Sequence, residues 1–388
     1  MSIITKNQTI INNSCKSLVK YIKVSNVSYL IVEKEDTISN TLIKHYDNRP
    51  TKEYIDQLLK IGCIYHQDPI EITKIKTVPR RVQIDKVIGK GSLLKYFFYP
   101  RVDTTDHIDF NNFNKYIIYE NQYFLVVDKP HGINLGSIVD HLHNNFTSFL
   151  KDWLKKRRLN DNSDHKFNLN NPHLLDSPTR GLCVIAKDPI FLSKFNKLLS
   201  DGKVSKIYKA FVPIKENDDS SIEIKPGIYK HFMKSTSYSP KILFDEQDET
   251  NSLKECLLKV LKVERKEIYV PLGVKDVSID LLQNLNFNDV GKGNLRKQTK
   301  RLLFNVVDIQ LITGRTHQIR TQLSRLGFPL LSDIMYGGKS LNYLLTEDTD
   351  LKNYDSLHWP KMIGLIAFNL SFQCPITKEK YDFNIVNK

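Results

Sequence analysis

Cysteine is scarce in this 388-residue chain: there are five, Cys15, Cys63, Cys183, Cys256 and Cys374, each dozens of residues from the next. No Cys-x-x-Cys pair occurs and no histidine stands at zinc-ligand spacing from one, which argues against a disulfide framework and a structural zinc site. The spacing predicts reduced, mostly buried thiols. Long apolar runs are absent too. Nothing approaches the ~18 to 20 uninterrupted apolar residues of a membrane-spanning helix, and the mean hydropathy is −0.36. Acidic residues are missing from the N-terminus, where the first is Glu33 after Lys6, Lys16, Lys20 and Lys23. Such a stretch, over residues 1–30, reads either as a poorly ordered basic tail or as an organelle transit peptide; transit peptides usually use arginine, and none precedes Glu33. The chain also lacks internal repeats and low-complexity segments.

Positive charge is what the sequence has in excess: 57 Lys and Arg against 43 Asp and Glu, a formal net charge of +14. A polyanion is the natural partner for such a surface, nucleic acid first and an anionic membrane face second. With 40% hydrophobic residues the chain has material for a large domain and a smaller one.

A small helical unit is expected over residues 31–100. Two short helices fall between Asp36 and Ile70; the second is capped by Thr51, carries an apolar stripe at Ile55, Leu58 and Leu59, and stops at Gly62. A basic connection bearing Arg80, Arg81, Lys86 and Lys90 follows. A larger domain over 110–388 opens with the hairpin signal of "YIIYENQYFLVVDKPHG". "FLKDWLKKRR" reads as a helix with a basic end, and "GLCVIAK" as a buried strand. Asp188-Pro189 caps a helix that buries Phe191, Leu192, Phe195, Leu198 and Leu199 and ends at Gly202. "KIYKAFV" alternates as a strand with Tyr208, Ala210 and Val212 on one side. Residues 214–301 look irregular, with 265–301 as an insertion. "LLFNVVDIQLI" is a strand, and "TGRTHQIRTQLSRLG" a helix with Ile319, Leu323 and Leu326 inward and Arg320 at the rim, about 100° away. The mixture without a strict β-α-β repeat predicts an α+β fold.

The stretch "HLLDSPTRG" holds one carboxylate, Asp176, on a loop that Pro178 keeps from becoming helical. Two readings are open from these residues: the side chain caps the turn by accepting from a downstream N–H, or it performs chemistry.

Taken together, these stretches resemble the RluA-type pseudouridine synthases. His173, Leu174, Leu175, Asp176, Ser177, Pro178, Thr179, Arg180 and Gly181 are similar to that family's His-Arg-Leu-Asp-x-x-Thr-Ser-Gly loop. "YENQYFLVVDKPHGI" is similar to its opening strand pair, with Lys129, Pro130 and Gly132 in register. "KIYKAFV" resembles its Lys-x-Tyr-x-Ala-x-Val segment, and "LITGRTHQIRTQLSRLGFPLLSDIMYGG" matches its Thr-Gly-Arg-Thr-His-Gln-x-Arg helix and the stretch after it almost residue for residue. "IGLIAFNLSFQCPITKEKYDF" resembles its closing strand. The resemblance covers residues 116–383.

It implies the pseudouridine synthase fold, a mixed, mostly antiparallel curved sheet with flanking helices, together with a small N-terminal α/β module that resembles an S4-type RNA-binding unit. It implies isomerisation of uridine in RNA: the base leaves C1′, turns, and rejoins through C5. Asp176 would act at the ribose, as nucleophile or as base. Arg320 would pair with it and keep it ionised through its opposite charge. Tyr208 would stack on the base and help remove the C5 proton. Leu365 would pack near the base. Substrate contacts are expected from Lys129, His173 and Arg180, and from Arg315, Thr316 and His317 at a helix N-terminus, where free N–H groups favour a phosphate. Basic clusters at Lys155–Arg158 and at Arg296, Lys297, Lys300 and Arg301 are further candidates. The exchange is redox-neutral and implies no metal and no cofactor. Transfer, ribosomal or small nuclear RNA is the implied partner, with no membrane; the protein is expected to be an intracellular monomer of cytoplasm or nucleus, or of the mitochondrion.

Departures are specific. Leu174 stands where the family has an arginine that helps displace the target base, Arg180 where it has serine, Ile366 and Cys374 where histidines are usual. The alternative reading is an RNA-binding or assembly protein of the same fold without turnover.

Overall fold

A computed structural model describes residues 27–46, 50–69, 78–97, 108–109, 112–138, 142–158, 168–214, 223–236, 239–247, 252–271, 299–340, 343–344 and 362–385. The chain divides into two compact units.

In the first unit, strand β1 (Val27–Ile31), strand β2 (Asp36–Thr37), helix α1 (Ile38–His45), helix α2 (Lys52–Ile61), and strands β3 (Ile64–Gln67), β4 (Arg80–Val82), β5 (Val87–Ile88) and β6 (Leu93–Phe97) follow in order. The helices start where the sequence indicates. Thr37 Oγ1 accepts from the Asn40 N–H at 3.1 Å and Thr51 Oγ1 from the Tyr54 N–H at 3.3 Å, each satisfying an amide that a helix start leaves without an internal partner. Gly62 ends α2 in the left-handed region (φ 81°), and a Cβ there would come within 3.0 Å of Arg81, so only glycine suits that turn. A sheet ordered β1-β6-β3-β4 buries Leu94, Tyr96 and Ile64 among Ile38, Leu42, Ile55, Leu58 and Leu59.

Three expectations change here. Val27–Ile31 is a paired strand, so a tail running to residue 30 is too long; residues 1–26, with the transit reading, lie outside the described residues. The stretch from Arg80 to Phe97 is not a connection but three strands; β6 alternates inward Leu94 and Tyr96 with outward Lys95, and the surface cations concealed that period. The unit also takes in Gly136–Phe149, which a boundary drawn near residue 100 leaves out: Leu142 N–H donates to the Ile61 carbonyl at 2.8 Å.

The second unit contains strands β7 (Ile117–Glu120) and β8 (Phe124–Lys129), helix α3 (Phe146–Arg158) from Leu150 onward, β9 (Arg180–Ala186), helix α4 (Pro189–Ser200), β10 (Ser205–Ile214), β11 (Gly227–Lys234), β12 (Leu243–Phe244), β13 (Leu253–Pro271), β14 (Thr299–Leu311), helix α5 (Gln318–Arg325), β15 (Leu365–Gln373) and β16 (Lys380–Asn384). Ten strands form one sheet in the order β12-β11-β13-β14-β10-β15-β9-β8-β7, with β16 on β15. All named pairs are antiparallel except β9 with β15, so the expected α+β fold with a mixed, mostly antiparallel sheet is what forms.

The parallel contact is tight: a Cβ on Gly181 (φ 132°) would lie 2.4 Å from the Ala367 carbonyl oxygen. Helix α4 packs on the sheet as its pattern predicts. Asp188 accepts from the Phe191 N–H at 2.6 Å, and the rings of Phe124, Phe191 and Phe195 stack at 4.8 and 5.3 Å. Strand β10 is more buried than strict alternation suggests, with Phe211 inward-packed as well as Tyr208, Ala210 and Val212.

Residues 214–301 are more regular than expected. Strand β13 pairs with β14 from Leu258–Leu311 out to Pro271–Thr299, so 265–271 and 299–301 are hairpin arms rather than an irregular insertion. Its sequence, "LKECLLKVLKVERKE", hides the strand because the outward positions are mostly charged. Residues 272–298 lie outside the described residues, and Arg296 and Lys297 with them. Cys63, Cys183, Cys256 and Cys374 are buried free thiols, as expected; Cys15 lies outside the described residues.

Candidate active site

Asp176 lies on the loop that enters β9. Main chain closes the turn: the Thr179 N–H donates to the Asp176 carbonyl oxygen at 3.0 Å. The side chain turns instead to Arg320, whose Nη1 donates to Asp176 Oδ2 at 3.1 Å, which decides against capping as its main task.

The loop is clamped from beneath. Lys129 is fully buried, and its ammonium donates to the carbonyls of Pro130, Ile133 and Ser177 at 2.8, 2.8 and 3.1 Å. The Gly132 N–H reaches the same Ser177 carbonyl at 2.9 Å, and the Ile363 N–H reaches that of Pro178 at 3.2 Å. His131 Nδ1 lies 2.9 Å from the Pro178 carbonyl and donates to it in the matching tautomer. His173 Nε2 accepts from the Val184 N–H at 3.0 Å. Its imidazole is therefore neutral, and burial, with the Lys206 charge, lowers its pKa to about 3. Lys129 and His173, expected at the substrate, are engaged with main chain: Lys129 with loop carbonyls and His173 with the Val184 N–H of β9.

Arg320 is the hub. Besides Asp176 it binds Asp333 with Nε and Nη2, both at 2.8 Å, and its guanidinium lies 5.1 Å from the centroid of the Tyr336 ring. It is 4% exposed, not at the rim. Helix α5 is buried from Gln318 to Leu323 on every face, so a stripe rule for half-exposed helices misplaces it. Burial works against the charge, but the hydrogen bonds and charge of Asp333, with Asp176 behind it, outweigh that and raise the pKa.

The helix begins at Gln318, five residues later than "TGRTHQIR" suggests. His317 precedes it in the left-handed conformation (φ 59°), an uncommon state for a non-glycine residue. That turn leaves His317 Nε2 3.8 Å from Asp176 Oδ1 and Nδ1 2.9 Å from the Tyr336 hydroxyl. Burial, then the Arg320 and Lys241 charges, lower the His317 pKa against the pull of Asp176 and Asp333. Arg315 and Thr316 are exposed ahead of the helix.

Tyr208, on β10, and Leu365, on β15, lie on neighbouring strands, Tyr208 opposite Ala367 and Leu365 opposite Ala210. Both are nearly buried. Burial, then the nearby Cys183 and Asp176 groups, push the Tyr208 pKa up, so its phenol is protonated at neutral pH. It offers a ring face and a donor, not a resting base.

Arg180 does not face Asp176 as a substitute cation. Its guanidinium is forked onto Asp128, with Nε 3.2 Å from both carboxylate oxygens and Nη2 at 2.8 Å. Leu174, in the position of the missing arginine, is 68% exposed.

Sequence reading missed Asp333, Tyr336, His131 and Lys241. The first two lie in "LGFPLLSDIMYGG", a quoted motif, and were findable there. Lys241 carries no sequence signal; its N–H donates to the Tyr336 hydroxyl at 2.9 Å, and its ammonium to the Thr236 carbonyl at 2.7 Å.

The geometry is a half-exposed carboxylate fixed by a buried cation, beside a neutral imidazole and a protonated phenol. The sequence profile of the RNA pseudouridylate synthases matches residues 123–325, more than half of the chain, and includes Asp176, Tyr208, His317 and Arg320. The chain belongs to that family, and the resemblance read from its motifs is borne out. It is 26% identical over 227 residues to RNA pseudouridine synthase 6, chloroplastic, of Arabidopsis thaliana, covering 58% of this chain and 41% of that one. It is 27% identical over 235 residues to ribosomal large subunit pseudouridine synthase C of Buchnera aphidicola, covering 60% and 57%. The chain thus spans about half the length of these curated relatives. Among solved structures, Human RNA Pseudouridylate Synthase Domain Containing 4 has a TM-score of 0.42 and 17% identity, over 71% of this chain and 90% of that one.

Proposed function

We propose that this protein isomerises uridine to pseudouridine in RNA, with Asp176 acting at C1′ or on the 2′ proton of the target ribose. The observation that carries the reading is the Asp176–Arg320 contact at 3.1 Å within a chain of this family. The buried guanidinium fixes the direction in which the carboxylate oxygens point, so no reorganisation is needed when charge changes at the sugar. The other oxygen, Oδ1, lies on the His317 side.

The detached uracil has Tyr208 and Leu365 as its apolar boundary. Since the phenol is protonated at rest, Tyr208 serves first as a stacking surface; taking the C5 proton requires it to pass its own proton on in the same step. Arg315 and Thr316, exposed before α5, suit a backbone phosphate of the substrate. A base must leave its stack to reach Asp176, which is cheapest in loops and bulges. The substrate is an RNA of the ribosomal, transfer or small nuclear class, and no helix among the described residues is long and apolar enough to cross a membrane.

The test is tritium release. Cellular RNA labelled at C5 of uracil is incubated with the protein and with Asp176→Asn, and label appearing in water is counted. Forming the C5–C1′ bond expels that hydrogen, so release by wild type and none by the variant is the expected result. Tight RNA binding with no release by either protein overturns the reading in favour of an RNA-binding protein without turnover.

A further inference from the structure

Beside Asp176, His317 has one ring nitrogen occupied and the other open. Its place is rigid. The His317 carbonyl accepts from the Thr321 N–H at 2.9 Å and from Thr321 Oγ1 at 2.8 Å, so the left-handed residue (φ 59°) is tied to the first turn of α5.

The tautomer is set from outside the helix. The Tyr336 hydroxyl oxygen accepts from the Lys241 N–H at 2.9 Å. Burial raises the Tyr336 pKa against the pull of that N–H, the Thr321 hydroxyl and the Arg320 charge, so the phenol keeps a hydrogen to give. His317 Nδ1, 2.9 Å away, is its acceptor, and the two rings cross at 88°. A neutral imidazole that accepts at Nδ1 carries its own hydrogen at Nε2. That nitrogen lies 3.8 Å from Asp176 Oδ1, too far for a hydrogen bond, and it has no other hydrogen-bond partner among the described residues. The cations nearby are engaged: Arg320 with two carboxylates, the Lys241 ammonium with the Thr236 carbonyl, and Arg180 with Asp128.

We propose that His317 is a further catalytic residue, whose Nε2–H donates a hydrogen bond to whichever uracil carbonyl stands beside the bond to C1′. In uridine that carbonyl is O2, next to N1; in the product it is O4, next to C5. Turning the detached ring about its N3–C6 axis exchanges N1 with C5 and O2 with O4, so one fixed donor serves both stages. When N1–C1′ breaks, the electron pair goes to N1 and spreads over O2 and O4. Asp176 either bonds to C1′ or takes the 2′ proton. When C5 joins C1′, the C5 hydrogen leaves as a proton. The His317 hydrogen stays on Nε2 throughout, since a neutral imidazole polarises a carbonyl without giving up its proton, and a donor fixed in advance costs no reorganisation as charge develops. The inference rests on the isomerase reading.

The experiment measures single-turnover tritium release from pooled transfer and ribosomal RNA transcripts made with C5-tritiated uridine or C5-tritiated 2-thiouridine, for the wild type, His317→Asn and His317→Gln. Sulfur at position 2 is a weak acceptor. Asparagine tolerates the left-handed backbone but is too short to reach, whereas glutamine brings an amide N–H close to the place of Nε2. His317→Asn is expected to lower the maximal rate about 100-fold, the effect of losing one oriented donor, with the half-saturating protein concentration unchanged, and His317→Gln to recover part of the loss. The thio substitution is expected to slow the wild type and not His317→Asn. Thermal melting checks that the variants are folded. In 15N NMR of the wild type, with the His317 signal identified by its absence from His317→Gln, the hydrogen is expected on Nε2. A hydrogen on Nδ1, a wild-type rate in His317→Asn, or an equal thio effect in both proteins overturns the proposal and leaves the isomerase standing. No release by the wild type from either RNA removes the isomerase reading and this step with it.

Discussion

Arg320 grips Asp333 through two nitrogens at 2.8 Å each and leaves its third to Asp176 at 3.1 Å. Asp333 is 1% exposed, so the site's reactive carboxylate is oriented by a buried ion pair that it does not belong to. Breaking a buried pair by removing one partner costs about 3–5 kcal/mol, because the other charge stays buried and uncompensated. Asp333→Ala is expected to lose that much stability in urea denaturation. Arg320→Lys, which keeps a charge but loses the fork, is expected to abolish most tritium release. An Asp333→Ala protein that unfolds at the wild-type urea midpoint would show that the pair is structurally idle.

Acid should release the Asp176 loop through His173. Its folded pKa of about 3 lies below histidine's ordinary ~6.5, so the folded state resists protonation. The stability this contributes is complete above pH ~6.5 and is lost as pH falls toward about 3, at up to about 1.4 kcal/mol per pH unit. Denaturation at stepped pH should give a shallower loss for His173→Gln over that window. Parallel curves for the two proteins would contradict the assignment of a neutral acceptor.

Arg180 and Asp128 are coupled by three close contacts at a half-buried position, with the Arg180 side chain 24% exposed. A double-mutant cycle of Arg180→Ser and Asp128→Asn is expected to give a coupling energy of about 1–2 kcal/mol, above the range of exposed pairs. Additive effects would mean that solvent already screens the pair.

Leu174→Arg restores the family's arginine at an exposed position. Stability is expected to change by less than about 0.5 kcal/mol, as for an ordinary surface substitution. If the leucine limits base displacement, kcat/KM for tritium release should rise on hairpin RNA, where the base must be unstacked, and stay level on an unstructured strand. An equal rise on both substrates would point to charge attraction.

Much of this protein is legible from one dimension. The capped helices at Thr51 and Asp188, the Glu120–Asn121 hairpin and the α+β class follow from local rules, because caps, turn residues and hydrophobic period act over a few residues. The family motifs point to the segments of Asp176, Tyr208 and Arg320, and the fold brings Asp176 and Arg320 into contact. Side-chain direction is another matter. Lys129 and His173 read as substrate contacts because a cation and an imidazole beside a reactive loop look available; only the fold shows carbonyls surrounding one and a strand N–H facing the other. Strands β13 and β6 went unread because charge on their outward faces dilutes a period-2 signal. Arg320 was set at the rim by helical geometry alone, since its burial depends on Asp333, thirteen residues further along the chain, arriving to neutralise it. Sequence determined which residues could do chemistry and where the chain turns. Tertiary structure decided which of them are free to do it, because desolvation and pairing are set by neighbours that no local pattern encodes.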